Sequence, residues 1–342
     1  MIRRQRGFTL AELTIVVVIF GLMITASGPV ISMVMTFWEG SKRSEQVVNN
    51  QKLASAIMSF ARNSNGGRLP APYSGSGIAS GLYNPADATA LGQALAMELR
   101  NTGVPVDQIN NDSAVIENVR VYRRVAGLTY SMPFRFSTGS QVTLTYDVGA
   151  ITSTQCAKAN ACNTGTPGSS AALTAANITT WEPTAPDYGA IVFSSLPEQK
   201  NMLAITGGRI NRLQEKLVNE FHTRMRLAAA NSTINYFPVP NGAGAPNLSG
   251  QNPVVNMGCH DGWYRLSAAN VNVLAQLGLD SAEFGVTAWG GPVDYCRDFE
   301  PTAVNTSTAN TSPHYSALRF NRNLSAASAS SGVFANDVVV TF

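Results

Sequence analysis

An apolar run from Phe8 to Trp38 that holds a single charged residue, Glu12, constrains this chain more than any other feature. As a helix rising ~1.5 Å per residue, such a run exceeds the roughly 30 Å of a bilayer's hydrocarbon. A carboxylate near its start costs on the order of 2–4 kcal/mol in lipid, so its presence points to a function. Three arginines, Arg3, Arg4 and Arg6, precede Gly7. Positive charge flanking an apolar segment is retained in the cytoplasm, which predicts the remainder of the chain on the far side.

Two ordinary explanations fit less well. A Sec signal peptide would be cut near Ala26-Ser27-Gly28, yet the apolar run continues through Pro29-Val30-Ile31 to Phe37-Trp38, too long for an h-region. A plain transmembrane anchor accounts for the length but gives the acid no role.

The order basic leader, Gly7, Phe8, apolar helix and Glu12 at the fifth position after the glycine resembles the class III signal of type IV prepilins and type II secretion pseudopilins. The resemblance covers roughly residues 1–62. It implies cleavage after Gly7 by a prepilin peptidase and methylation of the new amino terminus at Phe8. It also assigns Glu12 to assembly. Gly21 and Pro29 fall where many pilins carry a glycine and a helix-loosening proline. Each assignment has a chemical reason. Glycine lets an extended backbone enter a protease site without a side-chain clash. Cleavage leaves a cationic amine among apolar helices, and the carboxylate of a neighbouring subunit neutralises it far more strongly there than in water.

Composition agrees with an exported protein. The formal charge of +3 comes from the leader; beyond residue 7, 21 basic residues face 21 acidic ones. The basic balance is therefore no argument for nucleic-acid binding. Four cysteines, Cys156, Cys162, Cys259 and Cys296, favour two disulfides in an oxidising compartment over metal binding. Of three connectivities we favour the local pairs 156–162 and 259–296.

Residues 8–62 read as one helix, apolar all round to about residue 38 and then striped by Val47, Leu53, Ile57, Phe60 and Ala61, the spacing of a helix packed on its own head. Asn63-Ser64-Asn65-Gly66-Gly67 ends it. Pro29 should loosen the turn it sits in. Alternating runs at 119–125, 128–136 and 141–148 predict an antiparallel meander with turns at Ala126-Gly127 and Thr138-Gly139-Ser140, and 188–195 a further strand. The Ser/Thr/Ala/Gly-rich stretch 150–187 reads as an exposed loop.

A second start follows. Residues 209–230 predict an amphipathic helix, and strands are expected at 315–321 and 333–342. Shifted by 168 residues, Leu53, Ile57, Phe60, Asn63 and Pro70 overlay Phe221, Met225, Ala228, Asn231 and Pro238, which suggests an internal duplication. The segment Trp289-Gly290-Gly291-Pro292-Val293-Asp294-Tyr295 resembles a Trp-Gly-x-Pro-Tyr-x-Tyr stretch of many pseudopilin heads, with Val293 where an aromatic is common.

The expected fold class is α+β: a long amino-terminal helix, transmembrane in its first half, packed on an antiparallel-sheet pilin head, with a second pilin-like α+β module. The expected divisions are a leader 1–7, a pilin helix 8–62 (transmembrane over about 8–38), a first head 63–200 and a second module 201–342. No Walker loop, dinucleotide fingerprint, Gly-x-Ser-x-Gly or His-Glu-x-x-His occurs, so no catalytic residue and no cofactor is assigned. His222, His260 and His314 are dispersed. Asp280, Glu283 and Asp294 fit no calcium-loop spacing, and no metal is assigned.

The resemblance implies a minor pilin of a type IV pilus, at a tip or initiation position because major subunits are much smaller. Its partners would be other pilin or pseudopilin subunits, the prepilin peptidase and the inner-membrane assembly platform. The precursor would sit in the inner membrane with its head in the periplasm, and the mature protein in a filament. A type II secretion pseudopilin is the alternative, although one large tip type lacks the fifth-position acid that this chain keeps. A membrane-anchored exported enzyme or carbohydrate-binding module is a further alternative, and predicts a deep polar pocket in the second module.

Overall fold

The computed structural model describes residues 10–75, 78–110, 120–134, 141–153, 173–181, 188–229, 232–240, 247–248, 258–260, 262–300, 312–324, 327–332 and 335–342, with α1 side chains described from Met33 onward. Helix α1 (Leu10–Ser64) runs as one element through Gly21 and Pro29. It ends where the sequence demands: Gly66 and Gly67 take φ of 56° and 74°, a left-handed turn that residues with a Cβ avoid.

The element order then repeats. Helix α1 is followed by β1 (Tyr73–Gly75), β2 (Ile78–Gly81), α2 (Ala90–Arg100), α3 (Val106–Asn110), β3 (Arg120–Pro133), β4 (Gln141–Ser153) and β5 (Tyr188–Ser194). The second half runs α4 (Leu196–Arg226), β6 (Asn247–Leu248), β7 (Trp263–Arg265), α5 (Val273–Gln276), α6 (Ser281–Phe284), β8 (Asp294–Cys296), β9 (Ala317–Asn321) and β10 (Asp337–Thr341). Each half is helix, two short strands, two helices and a three-stranded antiparallel meander. The first meander has the order β3-β4-β5. In the second sheet, β10-β9-β8 is extended by β7 and β6.

Three expectations change. The two runs split at Ala126-Gly127 form one strand, because that dipeptide makes a bulge rather than a turn. Val125 pairs with Val148 but Leu128 with Tyr146, so β3 carries one extra residue, and the left-handed Gly127 (φ 77°) donates its N–H to the Asp147 carboxylate at 3.0 Å. An acid supplies what a ladder partner otherwise would. Strand β4 continues past Val148 to Ser153, paired to β3 throughout.

Helix α4 starts at Leu196, well before residue 209, because Ser195 and Pro197 open it and Glu198 lies in its first turn, each a helix-start preference. Gly207 and Gly208 sit inside it in open space. The expected division at 200/201 thus falls within this helix. The expected turn at 138–140 lies outside the described residues.

Two main cores organise the chain. In the first, Leu53, Ile57, Phe60 and Ala61 of α1 pack with Leu95 and Leu99 of α2, Tyr122 of β3 and Ile151 of β4. Fully burying such a Leu or Ile contributes roughly 1.5–3 kcal/mol. The second core joins Ile210, Leu213 and Leu217 of α4 to Leu318, Phe320 and Val338 of the second sheet. It also takes in Phe134, Val142 and Leu144 from the far end of the β3–β4 hairpin. That hairpin therefore serves both halves.

Candidate assembly surface

Helix α1 changes partner along its length. From Gln46 upward its buried positions, Gln46, Asn49, Asn50 and Leu53, face the head. Below that, Met33, Val34, Met35, Phe37 and Trp38 are 60–80% exposed. Consecutive positions of a helix point about 100° apart, so these five side chains spread over roughly 200° of its circumference, with Thr36 on the remaining side. An exposed apolar patch of this kind marks an interaction surface. The Lys42 ammonium caps it, 3.7 Å from the Trp38 ring centroid, a cation–π contact at the apolar–polar boundary.

Gly7 and Phe8 lie outside the described residues; Glu12 lies within α1, outside its described side chains. Among the described residues no helix is long and apolar enough to cross a membrane.

Above the patch, the end of α1 is fastened to the start of α4. Arg62 donates to Glu198 through Nε and Nη2 at 2.8 and 2.5 Å. This two-pronged pairing is the strongest form of ion pair that side chains make, and it holds the Glu198 carboxyl below its ordinary range. Next to it, the Gln199 amide donates to the carbonyls of Gly66 and Gly67 at 3.2 and 2.8 Å and accepts from the Trp289 indole at 2.8 Å. A Cβ at Gly67 would run into that amide.

One layer deeper, the fully buried Asp147 carboxylate accepts two bonds from Arg68 at 2.7 and 2.9 Å and one each from the Leu69 and Gly127 amides at 3.0 Å. The backbone of Asp147 exchanges bonds with Ser195, at the start of α4. The stalk, the bulge of β3 and the second helix are thereby fixed to one another.

Sequence reasoning missed this junction. The pairs Arg62–Glu198 and Arg68–Asp147 lie far apart in the chain and share no motif. A partial signal was the Trp-Gly-Gly-Pro segment, whose Trp289 reaches Gln199.

The remaining candidates are dispersed. Cys259 and Cys296 form a disulfide that seals a small core with Trp263 and Phe299; Cys156 and Cys162 lie outside the described residues. Asp280 caps α6, whereas Asp294 is buried against Arg319 at 3.1 Å, so the acids considered for calcium do not converge. Among the described residues no metal-ligating cluster of three occurs. His222 is exposed on α4, its ring edge-on to Phe221. His314 bonds the Thr233 carbonyl at 2.8 Å.

No curated protein and no solved structure matches the chain. Residues 2–28 match the model of the prokaryotic N-terminal methylation motif: the chain carries the class III signal peptide of type IV pilins and pseudopilins, a pilin-like amino terminus that implies assembly with other pilin subunits.

Proposed function

We propose that this protein is a minor pilin of a type IV pilus, placed at the tip or the initiation complex. The prepilin peptidase cuts the inner-membrane precursor after Gly7 and methylates Phe8. The apolar helix over about 8–38 holds the precursor in the membrane and later lies among its neighbours in the filament. There Glu12 faces the Phe8 amine of an adjacent subunit. Both groups are costly alone in apolar surroundings, so an assembly that aligns them is favoured, and a buried acid becomes a register device. The role is assembly and display, with no catalysis assigned.

The observation that carries this reading is the exposed apolar patch Met33–Trp38 standing below a head of two repeated halves. One stalk bearing two heads, which we read as a duplicated pilin module, is too bulky for every position of a dense shaft and suits an end. Mass spectrometry of purified filaments tests it: the amino-terminal peptide should begin at Phe8 and carry one methyl group. A mature soluble chain beginning near residue 28 would overturn the reading.

A further inference from the structure

Given the pilin reading, on which this rests, we propose that the free edge of β5 receives an extended strand from the head of a neighbouring pilin subunit. The edge is then the surface through which this head, as distinct from its stalk, meets its neighbour.

β5 closes the first sheet on one side: it pairs with β4, and among the described residues no strand lies beyond it. Where its backbone groups point follows from its last residues. The Ser195 amide donates to the Asp147 carbonyl at 2.9 Å, and Val148, Gly149, Ala150 and Ile151 lie opposite Ser194, Phe193, Val192 and Ile191. Bonded and unbonded pairs alternate along an antiparallel ladder. Phe193 and Ile191 therefore bond β4, while Val192 and Ser194 turn their amides and carbonyls away from it. Among the described residues those two amides have no acceptor.

This edge is open and carries none of the usual guards. Ala190, Ile191, Phe193 and Ser194 are half-buried and Val192 is 45% exposed. Edge strands are ordinarily protected by charges or proline, yet Tyr188–Ser194 holds neither. Its one irregularity lies between Tyr188 and Ile191, where the register against Ser153 and Ile151 shifts. The run Ile191–Ser194 stays straight.

Position selects the occupant. Ile191 and Phe193 pack on the core that holds Leu53, Ile57 and Phe60 of α1, so β5 lies against the helix whose amino-terminal part assembles with other pilin subunits. A neighbour that lays its helix along α1 brings its own head beside this edge. Antiparallel pairing of β5 with β5 of a second copy would need a two-fold axis perpendicular to the sheet. That axis would reverse α1, which packs on the sheet, whereas stalks sharing a membrane or filament point the same way. A strand from another part of the neighbour's head, a heterologous contact, meets no such conflict. Apolar β-branched or aromatic residues would suit it, opposite Val192 on one face and Ile191 and Phe193 on the other.

Hydrogen–deuterium exchange over residues 190–195, compared between the full chain in detergent micelles and sheared filaments, tests the proposal. The Val192 and Ser194 amides should exchange at least about ten-fold more slowly once assembled, because new ladder bonds protect them. Val192→Pro removes an amide that β4 does not use, and Val192→Lys puts a charge on the edge. Both should lower incorporation into filaments at least about ten-fold, with Phe8 still exposed and methylated, whereas Val192→Thr should enter as the natural chain does. The lysine variant keeps the test valid if proline disturbs the fold. Unchanged exchange on assembly, or natural incorporation of both variants, would overturn the proposal and leave the pilin reading standing. A natural chain never cut before Phe8 would overturn the pilin reading, and the proposal with it.

Discussion

The phenol of Tyr295 donates to the carbonyl of Pro238 at 3.0 Å, and at the same length Tyr122 donates to Pro70 in the first half. Two residues beyond each tyrosine an arginine takes the preceding carbonyl: Arg124 bonds Leu69 at 2.6 Å and Arg297 bonds Phe237 at 3.1 Å. A Tyr-x-Arg at the first strand of each meander thus clasps a Leu-Pro or Phe-Pro that follows each long helix. This shared clasp links the repeat in element order to side-chain chemistry. Among the described residues neither proline carbonyl has a ladder partner, and the tyrosines supply a donor to each.

Tyr295→Phe should therefore destabilise the head by about 1–2 kcal/mol, since it leaves a buried carbonyl without a donor while removing almost no apolar contact. Tyr122→Phe should cost a similar amount. Burial raises the Tyr122 phenol above its ordinary value of 10.0, so the group keeps its proton and goes on donating through mildly alkaline solution. Denaturant unfolding of each variant measures both effects. An unchanged midpoint in either would show that its clasp is incidental.

The junction of α1 with α4 should loosen in acid. The hydrogen bonds from Arg62 depress the Glu198 carboxyl below its ordinary 4.5, against a smaller opposing effect of burial. A depressed carboxyl binds protons less readily in the folded state. Its stabilisation is therefore complete above 4.5 and is lost as pH falls through the lower, folded value. Unfolding midpoints followed from pH 6 to pH 3 should fall more steeply for the natural chain than for Glu198→Gln. Superimposable curves would remove Glu198 from the account.

Asp294 and Arg319 are both fully buried and meet at 3.1 Å, with the guanidinium 4.4 Å above the Trp263 ring. Burial raises the Asp294 carboxyl, partly offset by Ser330 and Arg319, and burial lowers the Arg319 guanidinium. Both shifts report the desolvation that opposes the pair. Asp294→Leu alone should cost about 3–5 kcal/mol, because it takes from the buried Arg319 guanidinium the carboxylate it bonds at 3.1 Å. Adding Arg319→Met should recover much of that loss, as apolar replacements of whole buried pairs do. Thermal unfolding of the single and double variants decides it: a double variant no more stable than the single would mean the pair contributes net stability.

The sequence made legible what is periodic or local. The stripe Leu53, Ile57, Phe60 and Ala61 is buried under the head, and the glycines after Ser64 end the helix. The overlay of Pro70 on Pro238 lands on two carbonyls that receive the same bond. Strand and helix limits failed where tertiary partners decide them. Ala126-Gly127 reads as a turn until Asp147 is seen to satisfy the Gly127 amide. The helix expected over 209–230 begins instead at Leu196, because α4 runs through Gly207 and Gly208.

At the amino terminus two substitutions should separate processing from assembly. If the proposed function holds, Gly7→Ala places a methyl group where a prepilin peptidase would need an unencumbered backbone, so uncut precursor should accumulate in the membrane fraction. Glu12→Leu leaves the cleavage site intact and removes the acid, so Phe8 should still be exposed and methylated while incorporation into filaments falls at least about ten-fold, the equivalent of one lost charge-assisted contact. Glu12→Asp keeps the charge on a shorter arm and should recover part of that loss. Immunoblots of sheared filaments and of membranes read both steps at once. Filaments containing Glu12→Leu at the natural level would mean that packing of the apolar helix alone sets the register, and the pairing of Glu12 with a neighbour's amine would drop out of the account.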